Sequence, residues 1–191
     1  MKYNNKISLL VLFLLSSGAI WAQSAGISPQ ETSDTQLKAS FEAEQLSHRQ
    51  VGVFQQKAEQ LVSDFMDYYH LLQDNQLDDD LKREVIKVMS DLFNAPTDTI
   101  VLDKAYLVSD LGTLDFSTLP TYQLAQVFAV EVALNRQLSE IELPLAILLK
   151  GQSTPSASMA ILSRNNKRFG DKTQAVWDVQ LKKLNLNGSN H

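Results

Sequence analysis

Residues 47–72 read SHRQVGVFQQKAEQLVSDFMDYYHLL, and residues 175–181 read AVWDVQL. In the first stretch Val51, Phe54, Ala58, Leu61, Val62, Phe65, Tyr69 and Leu72 recur at steps of three and four. At about 100° per residue they fall on one stripe of a helix, with Tyr68 at its edge. Lys57, Asp64, Asp67 and His70 lie off that stripe. In the second stretch Ala175, Trp177, Val179 and Leu181 recur with the period of a strand. A chain that passes once from helical to strand periodicity is α+β, with its helices gathered on a sheet.

Working outward from the helix, Ser47 and Gln50 have capping-box spacing, in which each side chain can satisfy the other residue's amide. Gly52 is a mild blemish near the start. Asp74-Asn75 breaks the periodicity, and Asp78-Asp79-Asp80 opens a second helix, where carboxylates suit the positive end of the dipole. Leu81, Val85, Val88, Met89 and Leu92 form its apolar stripe, and Pro96 ends it. The short turn predicts a helical hairpin, 47–73 with 78–94.

Beyond Pro96 the period changes. Thr99 to Leu102 is a short β-branched run. Ser117-Thr118-Leu119-Pro120 has the form of a helix start, leading into Tyr122 to Phe128. Alternation follows: Phe128, Val130, Val132 and Leu134 on one face, then Ile141, Leu143 and Leu145, then Met159 and Ile161. Between residues 127 and 137 the pattern fits both a strand and a continuing helix. Residues 165–173 are expected to be a basic hairpin loop with Gly170 at the turn, and 185–191 a polar tail. The expectation is one α+β domain over residues 47–184. Its N-terminal helical hairpin packs on a twisted antiparallel sheet of about four to five strands.

This order of elements across residues 47–184 resembles the NTF2-like α+β cone, in which early helices cover a curved sheet around a pocket. The closing AVWDVQL strand also looks like the last strand of small exported bacterial domains with no assigned activity. The first resemblance implies a ligand pocket between helix 47–73 and the sheet, near Phe65, Tyr69 and Trp177. Enzymes of that class use a Tyr and Asp acids projecting into the cone. Here Tyr69 and Tyr68 are the candidate phenols, and Asp103, Asp115 and Asp178 lie on or near strands. No spacing among them defines an acid–base pair, so no catalytic residue is assigned.

The N-terminus supplies a compartment. Lys2 and Lys6 precede an apolar run from Ile7 to Leu15, followed by Ser16-Ser17-Gly18-Ala19-Ile20-Trp21-Ala22. This is the layout of a signal peptide, residues 1–22, with cleavage expected after Ala22. The run is shorter than the roughly 18–20 apolar residues of a spanning helix, so no membrane anchor is expected after cleavage. Residues 23–46 are expected to form a flexible leader, with a short helix available to Phe41–Leu46. The 169 residues left after cleavage suffice for one core. There is no cysteine, hence no disulfide, no thiolate nucleophile and no Cys-type metal site. An exported domain without disulfides points to a bacterial periplasm, with an extracellular location as the alternative.

Other chemistries are thinly supplied. An EF-hand loop begun at Asp74 would meet Asp79 where Gly is needed and Val85 where Glu is needed. His48 and His70 lie about 33 Å apart on one helix at 1.5 Å per residue, so they share no metal or dyad. The seven glycines do not cluster, and no phosphate loop or nucleophile elbow is present. No cofactor and no metal is expected.

Charge is unevenly spread. Residues 23–149 carry 8 basic against 20 acidic side chains, whereas 150–191 carry 7 basic against 2 acidic. Arg164, Lys167, Arg168 and Lys172 surround Phe169, and such a cluster could dock an envelope protein or an anionic glycan or lipid. Nucleic acid is a poor partner for an exported acidic chain. The functional expectation is an exported binding or accessory module. The alternatives are a small cone-type enzyme acting on an apolar substrate, and an interaction subunit using the 164–172 hairpin.

Overall fold

The computed structural model describes residues 46–131 and 140–187. The expected signal peptide, leader residues 23–45 and the last four residues lie outside them, as do Val132 and Leu134. Helix α1 spans His48–Leu72 and α2 spans Asp79–Ser90. Six strands follow: β1 Thr99–Val101, β2 Ala105–Leu107, β3 Leu124–Ala129, β4 Glu140–Leu149, β5 Ser156–Phe169 and β6 Lys172–Asn185. Two 3₁₀ helices, Val108–Thr113 and Phe116–Thr118, connect β2 to β3. The class is α+β, with helices and strands in the expected order.

Both helix starts follow from side-chain chemistry. Ser47 Oγ accepts the Gln50 amide at 3.3 Å, and Gln50 Oε1 accepts the Ser47 amide at 2.8 Å. Asp78 caps α2 by accepting the Leu81 amide at 2.9 Å. The α1 stripe is buried as its spacing requires, with Phe54, Ala58, Val62, Phe65 and Tyr69 all at 0% exposure. The α2 stripe is narrower than expected. Val85 and Met89 are buried, but Leu81 and Val88 are 46% and 41% exposed. This helix packs against α1 and the first 3₁₀ helix along one line, and residues displaced from that line meet solvent.

The sheet has six strands in the order β2-β1-β6-β5-β4-β3, one more than expected, and it is mixed. β1 runs parallel to β6, with Ile100 opposite Leu184; the other pairings are antiparallel. β1 arrives from the helical hairpin rather than from a strand turn, so nothing local obliges it to run antiparallel to β6. The sheet continues through Asn185, and Leu186, beyond the expected domain end, is fully buried with its amide donating to Val101 O at 2.8 Å.

Three other expectations are corrected. The helix expected to start at Ser117–Pro120 and run through Phe128 is absent; a turn of 3₁₀ helix at Phe116–Thr118 is followed by an irregular segment and then β3. Phe128 and Val130 were expected on the core face, but they are 38% and 44% exposed. Val127 and Ala129 face inward instead, opposite Ile147 and Leu145. In β5 Ala160 and Leu162 join the main core cluster, Ile161 is buried on the opposite face at 4% exposure, and Met159 is only half-buried; a register shift lies at Met159/Ala160. A one-residue slip exchanges the two faces of a strand, and a run as apolar as Met159-Ala160-Ile161-Leu162 gives alternation little to grip.

Helix α1 also governs the β3 edge. Glu59 Oε1 accepts the Ala129 amide at 2.7 Å, and Gln55 Nε2 donates to Val130 O at 3.2 Å. Further along, Tyr69 Oη donates to Pro120 O at 2.6 Å and Gln73 Nε2 to Leu119 O at 3.0 Å. His70, although exposed as expected, places Nε2 2.6 Å from Tyr122 O, which requires the Nε2–H tautomer. These bonds satisfy backbone groups of the segment 119–130, among them the Ala129 amide at the end of β3.

Candidate functional site

Two regions carry the residues that the sequence singles out. The first is the interface of α1 with the sheet. Phe65 and Tyr69 are completely buried and Trp177 is 4% exposed. Phe65 stacks on Tyr69 with centroids 6.2 Å apart and meets Phe93 edge-on at 5.9 Å. Tyr69 in turn contacts Phe116 at 5.9 Å and Tyr122 at 5.8 Å. Phe93 in turn bridges to Leu181 of β6. The structure joins Phe65 to Tyr69 in one aromatic stack and buries Trp177 in the same core cluster.

Burial pushes the Tyr69 hydroxyl far above the usual phenol range, with smaller contributions from Tyr122, Asp103 and Tyr106. Burial likewise raises Tyr122, whereas Tyr106 is raised first by its hydrogen bond to Asp103, at 2.8 Å. Asp103 thus comes within electrostatic reach of three phenols, with Lys104 Nζ 5.3 Å from the Tyr106 ring centre. Asp115 instead caps the second 3₁₀ helix, accepting from the Ser117 amide and hydroxyl, and Asp178 pairs with Lys167. Tyr106 and Tyr122 escape a reading for helix stripes, because one sits in a three-residue strand and the other in an irregular connection.

The second region is the β5–β6 hairpin. The strands pair from Met159↔Lys183 to Phe169↔Lys172, so the expected nine-residue loop contracts to Gly170-Asp171. Gly170 has φ +62°, as a type II′ turn requires of its first central residue. Among the described residues β4 pairs with β5 as far as Ser163, and β1 meets β6 at Lys183–Asn185. Among the described residues the hairpin therefore continues past Arg164 as a two-stranded ribbon, and from Arg164 to Gln174 every described side chain is exposed.

Alternation divides the four cations between the two faces of the ribbon. Arg164 and Arg168 share the face of Trp177, while Lys167 and Lys172 project from the other. Lys167 is held by Asp178 at 2.6 Å, and Arg168 Nε donates to Gly170 O at 2.9 Å. Arg164 and Lys172 meet no carboxylate among the described residues.

Among the described residues no three His, Asp or Glu side chains are grouped to hold a metal ion. No described helix is long and apolar enough to cross a membrane. No family model, curated protein or solved structure matches the chain.

Proposed function

We propose that this protein is an exported accessory module that docks an anionic partner of the cell envelope through the β5–β6 ribbon. The observation that carries this reading is the ribbon itself: Arg164, Lys167, Arg168 and Lys172 are all exposed on a hairpin that, among the described residues, outruns its neighbours, in a chain of net charge −5. Opposed fields speed encounter and select partners, and a projecting strand pair presents its charges with little desolvation. The basic, apolar and small-residue sequence of residues 1–22 supports export.

The resemblance to the NTF2-like cone forms part of the proposal, supported by a helical hairpin lying on one face of a six-stranded sheet. Within it, the α1–sheet interface serves as scaffold. Phe65, Tyr69 and Trp177 are packed in the core, and Tyr69, the natural acid of a cone-type enzyme, is neutral and already bonded to Pro120 O.

The test compares the wild-type chain with the triple variant Arg164→Glu, Arg168→Glu, Lys172→Glu on immobilised polyglutamate and on anionic phospholipid vesicles. Wild type should bind polyglutamate with an affinity that falls as salt rises, since screening acts over about 8 Å at physiological ionic strength. The variant should lose at least about tenfold in affinity and most of the salt dependence. Equal binding by both chains would refute ribbon docking, and binding confined to vesicles would move the partner from protein to lipid.

A further inference from the structure

We propose that a groove at the C-terminal end of α2 binds a small organic cation, an ammonium or amidinium group carried on a short apolar body. The groove lies between α2, the Leu92–Pro96 loop, the 3₁₀ helix Val108–Thr113 and Gln180 of β6. Its volume is about 450 Å³, within the range of small-molecule sites. Buried Phe93 and Val108 supply apolar floor.

The polar lining is biased towards acceptors. Asp91 and Asn94 border the groove, and neither side chain has a hydrogen-bond partner among the described residues. Gln180 spends its amide nitrogen on Phe93 O at 3.1 Å, which leaves its oxygen as the available end. Among the described residues Asp91 is the one charged member of the lining, with no Lys, Arg or His. Three surroundings add to its sign. Asp91 is the C-cap of α2, so the negative end of the helix dipole points here. Asp98 holds the loop by accepting the Ala95 amide at 2.6 Å, and Asp110 accepts the Ser109 hydroxyl at 3.1 Å. Lys182, the cation that feels Asp98, is itself bonded to Glu142 at 2.9 Å. An anion entering this groove would meet carboxylates and a helix C-terminus. A cation with an apolar body would find a match for both of its parts.

One wall is left open by a glycine. Gly112 lines the groove and is exposed, and a Cβ built there would meet no atom within 4 Å. That makes the proposal separable from folding.

The experiment titrates the full chain with 2-phenylethylammonium, with neutral 2-phenylethanol and with anionic phenylacetate, following backbone amides of Ser90, Asn94 and Ser109 and the dissociation constant. The cation should shift these amides saturably and bind about two- to fivefold more tightly than the alcohol, the worth of one exposed charge pair. Phenylacetate should be the weakest ligand. Gly112→Leu should weaken the cation and the alcohol by about tenfold or more, since its side chain takes the volume of the ligand body. Asp91→Asn should leave alcohol binding intact and abolish the preference for the cation. Asp79→Asn, at the opposite end of α2, should alter neither. Thermal midpoints confirm that each variant is folded. Absence of saturable shifts at the three amides, phenylacetate binding as tightly as the cation, or indifference to Gly112→Leu would each overturn the assignment.

Discussion

The two halves of the β5–β6 hairpin are the same pair of strands in one continuous ladder, yet they live in different surroundings. From Ser158 to Ser163, β5 is buried or half-buried at every position; from Arg164 to Gln174 every described side chain of the hairpin is exposed. The lower half has β4 on one side and α1 above it, and the upper half has neither among the described residues. Backbone pairing runs through both, with a register shift at Met159/Ala160 in the lower half. The difference shows that the ladder sets the path of the chain, while neighbouring elements decide which side chains leave water. Composition agrees with position: Met159-Ala160-Ile161-Leu162 lies below, Arg164-Asn165-Asn166-Lys167-Arg168 above.

That contrast can be broken by mutation, beginning in the lower region. Phe65→Ala removes a ring with no exposed surface that touches Tyr69 and Phe93, and should cost about 3–5 kcal/mol in chemical denaturation. A loss below about 1 kcal/mol would mean that the α1 interface is not the stabilising core.

Gly170→Ala places a Cβ on a residue with φ +62°, where space is open but the left-handed backbone disfavours it. The expected cost is about 1–2 kcal/mol, all of it backbone strain. If it equalled that of Phe65→Ala, the ribbon would be coupled to the core far more tightly than its exposure indicates.

Tyr69→Phe keeps the ring and deletes the hydrogen bond to Pro120 O, for about 0.5–1.5 kcal/mol. It also sharpens the comparison through pH. Because folding raises the Tyr69 pKa above its unfolded value near 10, its contribution is fully present below that pH and is lost as pH climbs beyond it. Wild-type stability should therefore fall more steeply than that of Tyr69→Phe above about pH 10. Parallel alkaline profiles would show that the phenol ionises alike in both states.

The smallest effect belongs to the ribbon surface. Arg164→Glu with Lys172→Glu should change stability by less than about 0.5 kcal/mol, because neither side chain meets a carboxylate among the described residues. A larger loss would tie these cations to the fold and weaken the case for a docking surface.

The α1 stripe, both helix caps, the α+β order and the basic cluster were all legible in the amino-acid sequence. Each depends on interactions within a few residues: Ser47 with Gln50, Asp78 with Leu81, or apolar side chains one turn apart. Local geometry repeats, so spacing reports it. Tertiary structure alone decided that β1 joins β6 in parallel, that Leu119–Ala129 becomes loop and edge strand instead of helix, and that Asp103 comes within electrostatic reach of Tyr69 and Tyr122. The stretch after Pro120 has apolar residues compatible with either period, and backbone bonds from Gln55, Glu59, Tyr69, His70 and Gln73 select the extended form. Those partners lie about 50 to 75 positions away along the chain. No local pattern encodes a bond over that separation; it exists only once α1 has been laid across the sheet.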